Sequence, residues 1–256
     1  MPERGIIIAI LARRDTKVLQ AILMYKLTYL LIISASISWI CSAARAEPDL
    51  SGIWVLAGRA TERDLVMTEE ARAIQAAYDL LIDDPSLQCE PASLSRVWAN
   101  PNSRFKIEQT ERQVLILFEL FDLRRTIPLG DATALSGTPS TKNLDGLYFR
   151  KMGSSFAWFE DDRLFIETRN HAPGYIRTSR GIPQSEKSVA TEEFWLEGDT
   201  LNMKLTYEDD TLFEIPFIID HSFARIDGSE ILPYNCEGAD YDWFEKLNAP
   251  VESEAQ

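Results

Sequence analysis

Apolar and polar residues alternate along most of the chain. In residues 200–208, Leu201, Met203, Leu205 and Tyr207 share one face, and Asn202, Lys204, Thr206 and Glu208 share the other. One buried and one wet side is the mark of an antiparallel strand. The period of two recurs in FKIEQT (105–110), QVLILFELF (113–121), RRTIPL (124–129), GLYFRKM (146–152), SSFAWFE (154–160), RLFIETRN (163–170), SVATEEFWLE (188–197) and TLFEIPFIID (211–220). Each run has strand length and is bounded by turn residues. PDLSGIWVL (48–56) supplies an earlier strand.

Only TEEARAIQAAYDLLIDD (68–84) has helical spacing. Thr68 stands as N-cap, Ile74, Tyr78 and Leu81 share a face, and Asp83-Asp84-Pro85 ends the run. The stretch 83–103, with three prolines, reads as irregular. No helix separates successive strands, so a parallel βαβ architecture is excluded. Eight to ten meandering strands with one N-terminal helix predict a mainly β, antiparallel barrel or rolled sheet, which leaves few exposed edges.

Three acidic phrases, FEDDRL (159–164), LEGDTL (196–201) and YEDDTL (207–212), lie between such runs. Asp and Gly tolerate left-handed backbone angles, so these phrases predict hairpin turns. Calcium needs six or more converging oxygens, and the spacing D-x-D-x-D-G is missing. No metal site is expected.

Strand 113–121 differs in being apolar on both faces: Val114, Ile116, Phe118 and Leu120 on one, Leu115, Leu117, Glu119 and Phe121 on the other. This places it centrally and puts Glu119 on a buried face, where an unpaired carboxylate is costly. Arg124 or Arg125, just past the next turn, is the expected partner. The pair either closes the barrel structurally or aims a carboxylate into a cavity.

The long polar connection RNHAPGYIRTSRGIPQSEKSVATEE (169–193) is the second candidate, since long loops in compact domains tend to carry function. His171, one of two histidines, is its candidate general acid/base, set against the plainer expectation of a surface histidine. Ser185 lacks a G-x-S-x-G elbow, and no glycine-rich phosphate loop, zinc spacing or dinucleotide fingerprint occurs. No cofactor is therefore expected.

Composition adds a compartment. Lys26 precedes an uncharged run from Leu27 to Ala44, which ends in Ala44-Arg45-Ala46 before polar residues. That order predicts a secretory signal peptide over 1–46, with 1–23 an artefact of start-site choice if translation begins at Met24. An uncleaved anchor is the alternative. The whole chain carries a net charge of −14; without 1–46, which holds six Lys/Arg and two Asp/Glu, it carries −18. Such a surface repels phosphate backbones and anionic lipid, so neither nucleic acid nor stable membrane insertion is expected. Residues 47–256 then form a single β-barrel domain with an acidic C-terminal tail. Its two cysteines, Cys89 and Cys236, favour a bridge in an oxidising compartment over two separate buried thiols.

Taken in order, DLSGIW, DDPSLQCEP, FKIEQT, VLILFE, RRTI, FAWFEDDRLFIET, GIPQSEK, EEFWLEGDTL, MKLTYEDD and LPYNCE make the chain similar to a widespread family of exported proteobacterial and acidobacterial proteins, mostly of unknown function. The resemblance spans about 48–238. Pro183-Gln184-Ser185-Glu186 matches the family's P-x-S-E phrase, whereas Arg169-Asn170 replaces its usual Gly-Phe. The resemblance implies a lipocalin-like barrel, supports pairing Cys89 with Cys236, and draws attention to Glu119, Arg125, Ser185 and Glu186.

Besides an envelope structural protein with no pocket at all, which a filled barrel would favour, two functions remain open at the level of sequence. One is a periplasmic or secreted barrel that binds a small, largely apolar or aromatic molecule, with Arg124, Tyr175, Ser185, Trp158 and Trp195 as contacts. The other is a cofactor-independent lyase, isomerase or hydrolase. It would use Glu119 or His171 as base, with Arg125 and Glu186 assisting.

Overall fold

The structure, a computed structural model, describes residues 47–228 and 230–241. The expected signal segment and most of the expected acidic tail lie outside the described residues.

The strands are β1 (Gly52–Leu56), β2 (Thr61–Glu62), β3 (Arg104–Gln109), β4 (Gln113–Phe118), β5 (Arg124–Pro128), β6 (Thr141–Lys142), β7 (Ser154–Glu160), β8 (Arg163–Arg169), β9 (Gly174–Arg177), β10 (Ile182–Gln184), β11 (Val189–Glu197), β12 (Thr200–Glu208) and β13 (Phe217–Arg225). Ten of them run in the order β6-β5-β4-β3-β1-β13-β12-β11-β8-β7, β2 adds to β13, and β9 with β10 forms a separate hairpin. The ladders are antiparallel. First and last strands are thus neighbours, because β1 lies between β3 and β13, and the sheet rolls on itself.

No continuous ladder completes the roll. At the seam a single bridge joins Leu129 to Ala157, the Gly130 N–H donates to the Ala157 carbonyl at 2.8 Å, and the Ser140 N–H donates to the Gly153 carbonyl at 2.9 Å. Glycine is required at 153, where φ is +66° and a Cβ would stand 2.5 Å from the Arg169 carbonyl oxygen.

The alternation of β12 is realised as read: Leu201, Met203, Leu205 and Tyr207 are all fully buried. Several boundaries differ. GLYFRKM holds only an isolated bridge at Tyr148 and a 3-10 turn over Arg150–Met152. The last strand begins at Phe217, since Asp209 and the residues after it form a wider turn.

The expected single helix is two pieces, α1 (Glu69–Ala77) and α2 (Leu80–Asp83). Thr68 caps the first by accepting the Ala71 N–H at 3.2 Å. The Asp79 carboxylate accepts the Leu81 N–H at 2.9 Å and so starts a new turn rather than extending the old one. Of the α1 residues only Ala71 is buried, and Ile74 and Leu81 stay exposed.

A third helix, α3 (Leu94–Trp98), lies in the stretch read as irregular. Ser93 caps it by accepting the Arg96 N–H at 3.1 Å. Its five residues are too few for a periodic signal, yet it sets Trp98 at 2% exposure inside the barrel. There the indole lies 4.9 Å, ring centre to ring centre, from both Phe105 and Phe118, 5.6 Å from Phe194 and 5.7 Å from Phe223. Mostly edge-on contacts of this kind are the favoured geometry for aromatic clusters. A helix therefore plugs the interior that the sequence reading left open for a ligand.

Candidate functional site

Arg125 shares its inward parity on β5 with Ile127, and both are fully buried. Its guanidinium crosses the seam. Nη1 and Nη2 donate to the two carboxylate oxygens of Glu192 on β11 at 2.8 and 2.6 Å, and Nη2 also reaches Ser155 Oγ on β7 at 3.0 Å and Thr168 Oγ1 on β8 at 2.9 Å. Trp98 Nε1 donates to the same carboxylate at 2.5 Å. A side chain from one end of the sheet thereby grips the strands at the other end, where ladder bonds are few. Arg125 and Glu192 are both 0% exposed, so this network is a structural clasp.

The expectation that Glu119 pairs with Arg124 or Arg125 is corrected: Arg125 is taken by Glu192, and Glu119 is held by Arg104 and Leu232. β4 stops at Phe118, and Glu119 opens a 3-10 turn over Leu120–Asp122. Glu119 accepts the Arg104 N–H at 2.9 Å and the Leu232 N–H at 3.1 Å, with the Arg104 guanidinium 3.7 Å away. Glu192 was missed. Its signal was available, since Ala190, Glu192 and Phe194 share one parity, but Glu193 and Trp195 compete for the same reading one residue on.

The other candidates are scattered. His171 is not a surface residue: it is 2% exposed, with its ring Nδ1 3.2 Å from the Lys151 carbonyl oxygen. Burial drives its pKa down to about 4, and the nearby Arg125 charge adds to that effect. The connection 169–193 contains the β9–β10 hairpin, so it is shorter as a loop than expected. Tyr175 packs edge-on against Tyr78 at 4.5 Å, and burial raises its pKa.

Ser185 donates to Asp209, and Glu186 beside it is exposed. Asp209 also accepts Ser188 Oγ at 2.8 Å and the Thr211 N–H at 3.1 Å. Burial pushes this carboxyl's pKa upward, but the hydrogen bonds outweigh it and hold it below the usual range. One of the three acidic phrases thus contributes a buried hub as well as a turn. Trp158 lies half-buried, stacked 5.3 Å from Phe165, and Trp195 carries Arg163 over its ring at 4.7 Å. Neither tryptophan belongs to the cluster around Trp98 in the lumen.

Of the expected contact residues, Arg124 stands on the outer face. Ile53, Lys106, Leu117 and Arg124 stand side by side on β1, β3, β4 and β5, forming one row across four strands. The row floors a groove of about 440 Å³, walled by Leu144 on one side and by the segment Glu230–Pro233 on the other. Glu119 and Asp122 fasten that segment: they accept the N–H groups of Leu232 and Tyr234, at 3.1 and 3.0 Å. Phe121 and Asp122 hold left-handed backbone angles (φ 56° and 53°) at this point, a strain that side chains other than glycine adopt at a cost of about 1 kcal/mol or more. Two residues past Tyr234, Cys236 is bonded to Cys89. The strap is therefore held by two carboxylates, an edge-on contact of Tyr234 with Phe121 at 5.4 Å, and a disulfide.

Among the described residues, no group of three or more His, Cys, Asp or Glu converges as a metal site, and no helix is long and apolar enough to cross a membrane. The latter says nothing of strands.

No family model matches the chain, and no curated protein matches it. Among solved structures, the crystal structure of a mutant of the fluorescent protein UnaG is similar, at a TM-score of 0.36 and 14% identity, over 69% of this chain and 95% of that chain. A likeness of that size carries no statement about ligand or activity.

Proposed function

We propose that this is an exported protein that binds a small, largely apolar or aromatic molecule in the outer groove, beneath the strap. The observation that carries the proposal is the row Ile53–Lys106–Leu117–Arg124 together with its strap. Apolar side chains on an outward face are costly unless covered, and here a fastened segment covers them only in part. Pockets of several hundred Å³ with apolar walls and a few polar groups are the usual form of small-molecule sites. Lys106 and Arg124 would meet any acidic group on the guest.

The enzymatic alternative needs an available base, and the groove supplies neither of the two named. Glu119 is occupied by two backbone donors, and His171 lies inside the barrel. Export belongs to the same proposal, supported by the disulfide and by the apolar N-terminal segment with its A-x-A exit. So does membership of the exported family that the ordered phrases resemble.

Titration with N-phenyl-1-naphthylamine, a neutral aromatic whose fluorescence rises in apolar surroundings, tests the site. Saturable enhancement is expected, weakened about tenfold by Leu117→Glu, which places a charge on the groove floor. Ile82→Ser, at an exposed position outside the groove, leaves it unchanged. Equal enhancement in wild type and Leu117→Glu would sink the proposal.

A further inference from the structure

A second cleft of about 670 Å³ opens at the rim of the barrel. Three arginines reach it from three separate places: Arg59 from the β1–β2 link, Arg96 from α3, and Arg177 from the end of β9. The chain as a whole carries a net charge of −14, so this cleft runs against the overall balance. Asp84 is the one carboxylate among the lining residues, and its side chain is engaged as a cap, accepting the Ser86 N–H at 3.0 Å. Glu62 pairs with Arg177, 2.9 Å from its Nε, and also with Arg180, so it offsets only part of the positive charge. Thr178 and Asn102 add uncharged hydrogen-bonding groups, while Leu56 and Leu80 give the cleft an apolar side.

We infer that this rim cleft is a binding site for a small organic anion, a carboxylate or phosphate attached to a compact apolar body. Guanidinium groups hold such anions through paired, charge-assisted hydrogen bonds, and three cations lining one cleft favour an anion over a neutral guest. The cleft shares no lining residue with the outer groove, so it does not depend on the function proposed for that groove. Like charges held in one cleft repel, which a bound anion relieves.

Calorimetric titration at low ionic strength with benzoate and with inorganic phosphate tests the site. Saturable binding of at least one probe is expected. Tighter benzoate assigns the site to carboxylates, and tighter phosphate assigns it to phosphoryl groups. Arg96→Gln and Arg59→Gln should each weaken binding about tenfold, whereas Arg112→Gln, on the exposed β3–β4 turn, leaves it unchanged. Amide shift mapping on the wild-type protein provides a readout free of any folding defect, with changes expected around Arg59, Arg96 and Thr178. No saturable binding of either probe at millimolar concentration overturns the inference. Equal losses in all three variants do so as well, as do shifts centred elsewhere. Leu117→Glu should leave anion binding intact, which separates failure here from failure of the groove.

Discussion

Arg125 on β5 and Glu192 on β11 face each other inside the barrel through two parallel hydrogen bonds of 2.8 and 2.6 Å, with both side chains excluded from solvent. The pair spans the one place where the rolled sheet lacks a continuous ladder. Burying two charges is costly, and close bidentate geometry offsets that cost, together with the indole N–H that Trp98 donates to Glu192 and the hydroxyls of Ser155 and Thr168 that accept from Arg125.

Removing one partner should therefore do more damage than removing both. Glu192→Leu leaves an unpaired guanidinium and is expected to cost roughly 3–5 kcal/mol in urea unfolding. Arg125→Met combined with Glu192→Leu should recover at least half of that loss. A double variant no more stable than Glu192→Leu would show that the pair is not the coupled unit described.

The two histidines should make stability depend on pH. Burial lowers both His171 and His221 to about 4, and for His221 the neighbouring Arg177 adds to the effect. An unfolded histidine titrates near 6.5, so between about pH 6.5 and 4 the unfolded chain binds the extra proton. The stabilisation is complete above about pH 6.5 and is lost as pH falls, by roughly 1.4 kcal/mol per pH unit for each histidine. Asp209 and Glu193, both lowered in the fold, lose their contributions only further into acid. Denaturation midpoints across pH 7 to 4 check this, and His221→Phe should flatten about half the slope.

The disulfide closes a loop of 147 residues. Loop-closure entropy alone gives a stabilisation of roughly 5 kcal/mol, so Cys89→Ser with Cys236→Ser should lower the unfolding midpoint substantially. Because Cys236 follows the strap, the same change should also weaken N-phenyl-1-naphthylamine binding under conditions where the barrel remains folded. Unaltered binding would mean that Glu119 and Asp122 suffice to hold the strap.

Trp98 links the plug to the clasp. Trp98→Ala should cost about 3–5 kcal/mol through the cavity it leaves among Phe105, Phe118, Phe194 and Phe223. Trp98→Phe keeps most of the packing but removes the donor 2.5 Å from Glu192, and about 1–2 kcal/mol is expected. Thermal melts of the two variants separate the packing contribution from the hydrogen bond.

What the sequence determined by itself was the wall of the barrel. Side chains alternate with a fixed period of two, so the inward set of β12 and the central, doubly apolar character of β4 could be read directly. The turns at Asp161 and Gly198 were equally legible, because left-handed backbone there (φ 54° and 61°) requires a tolerant residue. The pairing of Cys89 with Cys236 was legible because these are the two cysteines within residues 47–256.

Tertiary structure decided everything that joins distant strands. Arg125 finds Glu192 rather than Glu119 because rolling the sheet brings β5 opposite β11, a proximity that no local pattern encodes. α3 is held by a Ser93 cap and by burial, with too few residues for a helical period, so the plug that fills the lumen was invisible. The outer groove exists because a row assembled from four strands meets a strap more than 100 residues further along the chain than Glu119. Strand alternation states which side of the wall a residue takes; only the folded chain states what stands across from it.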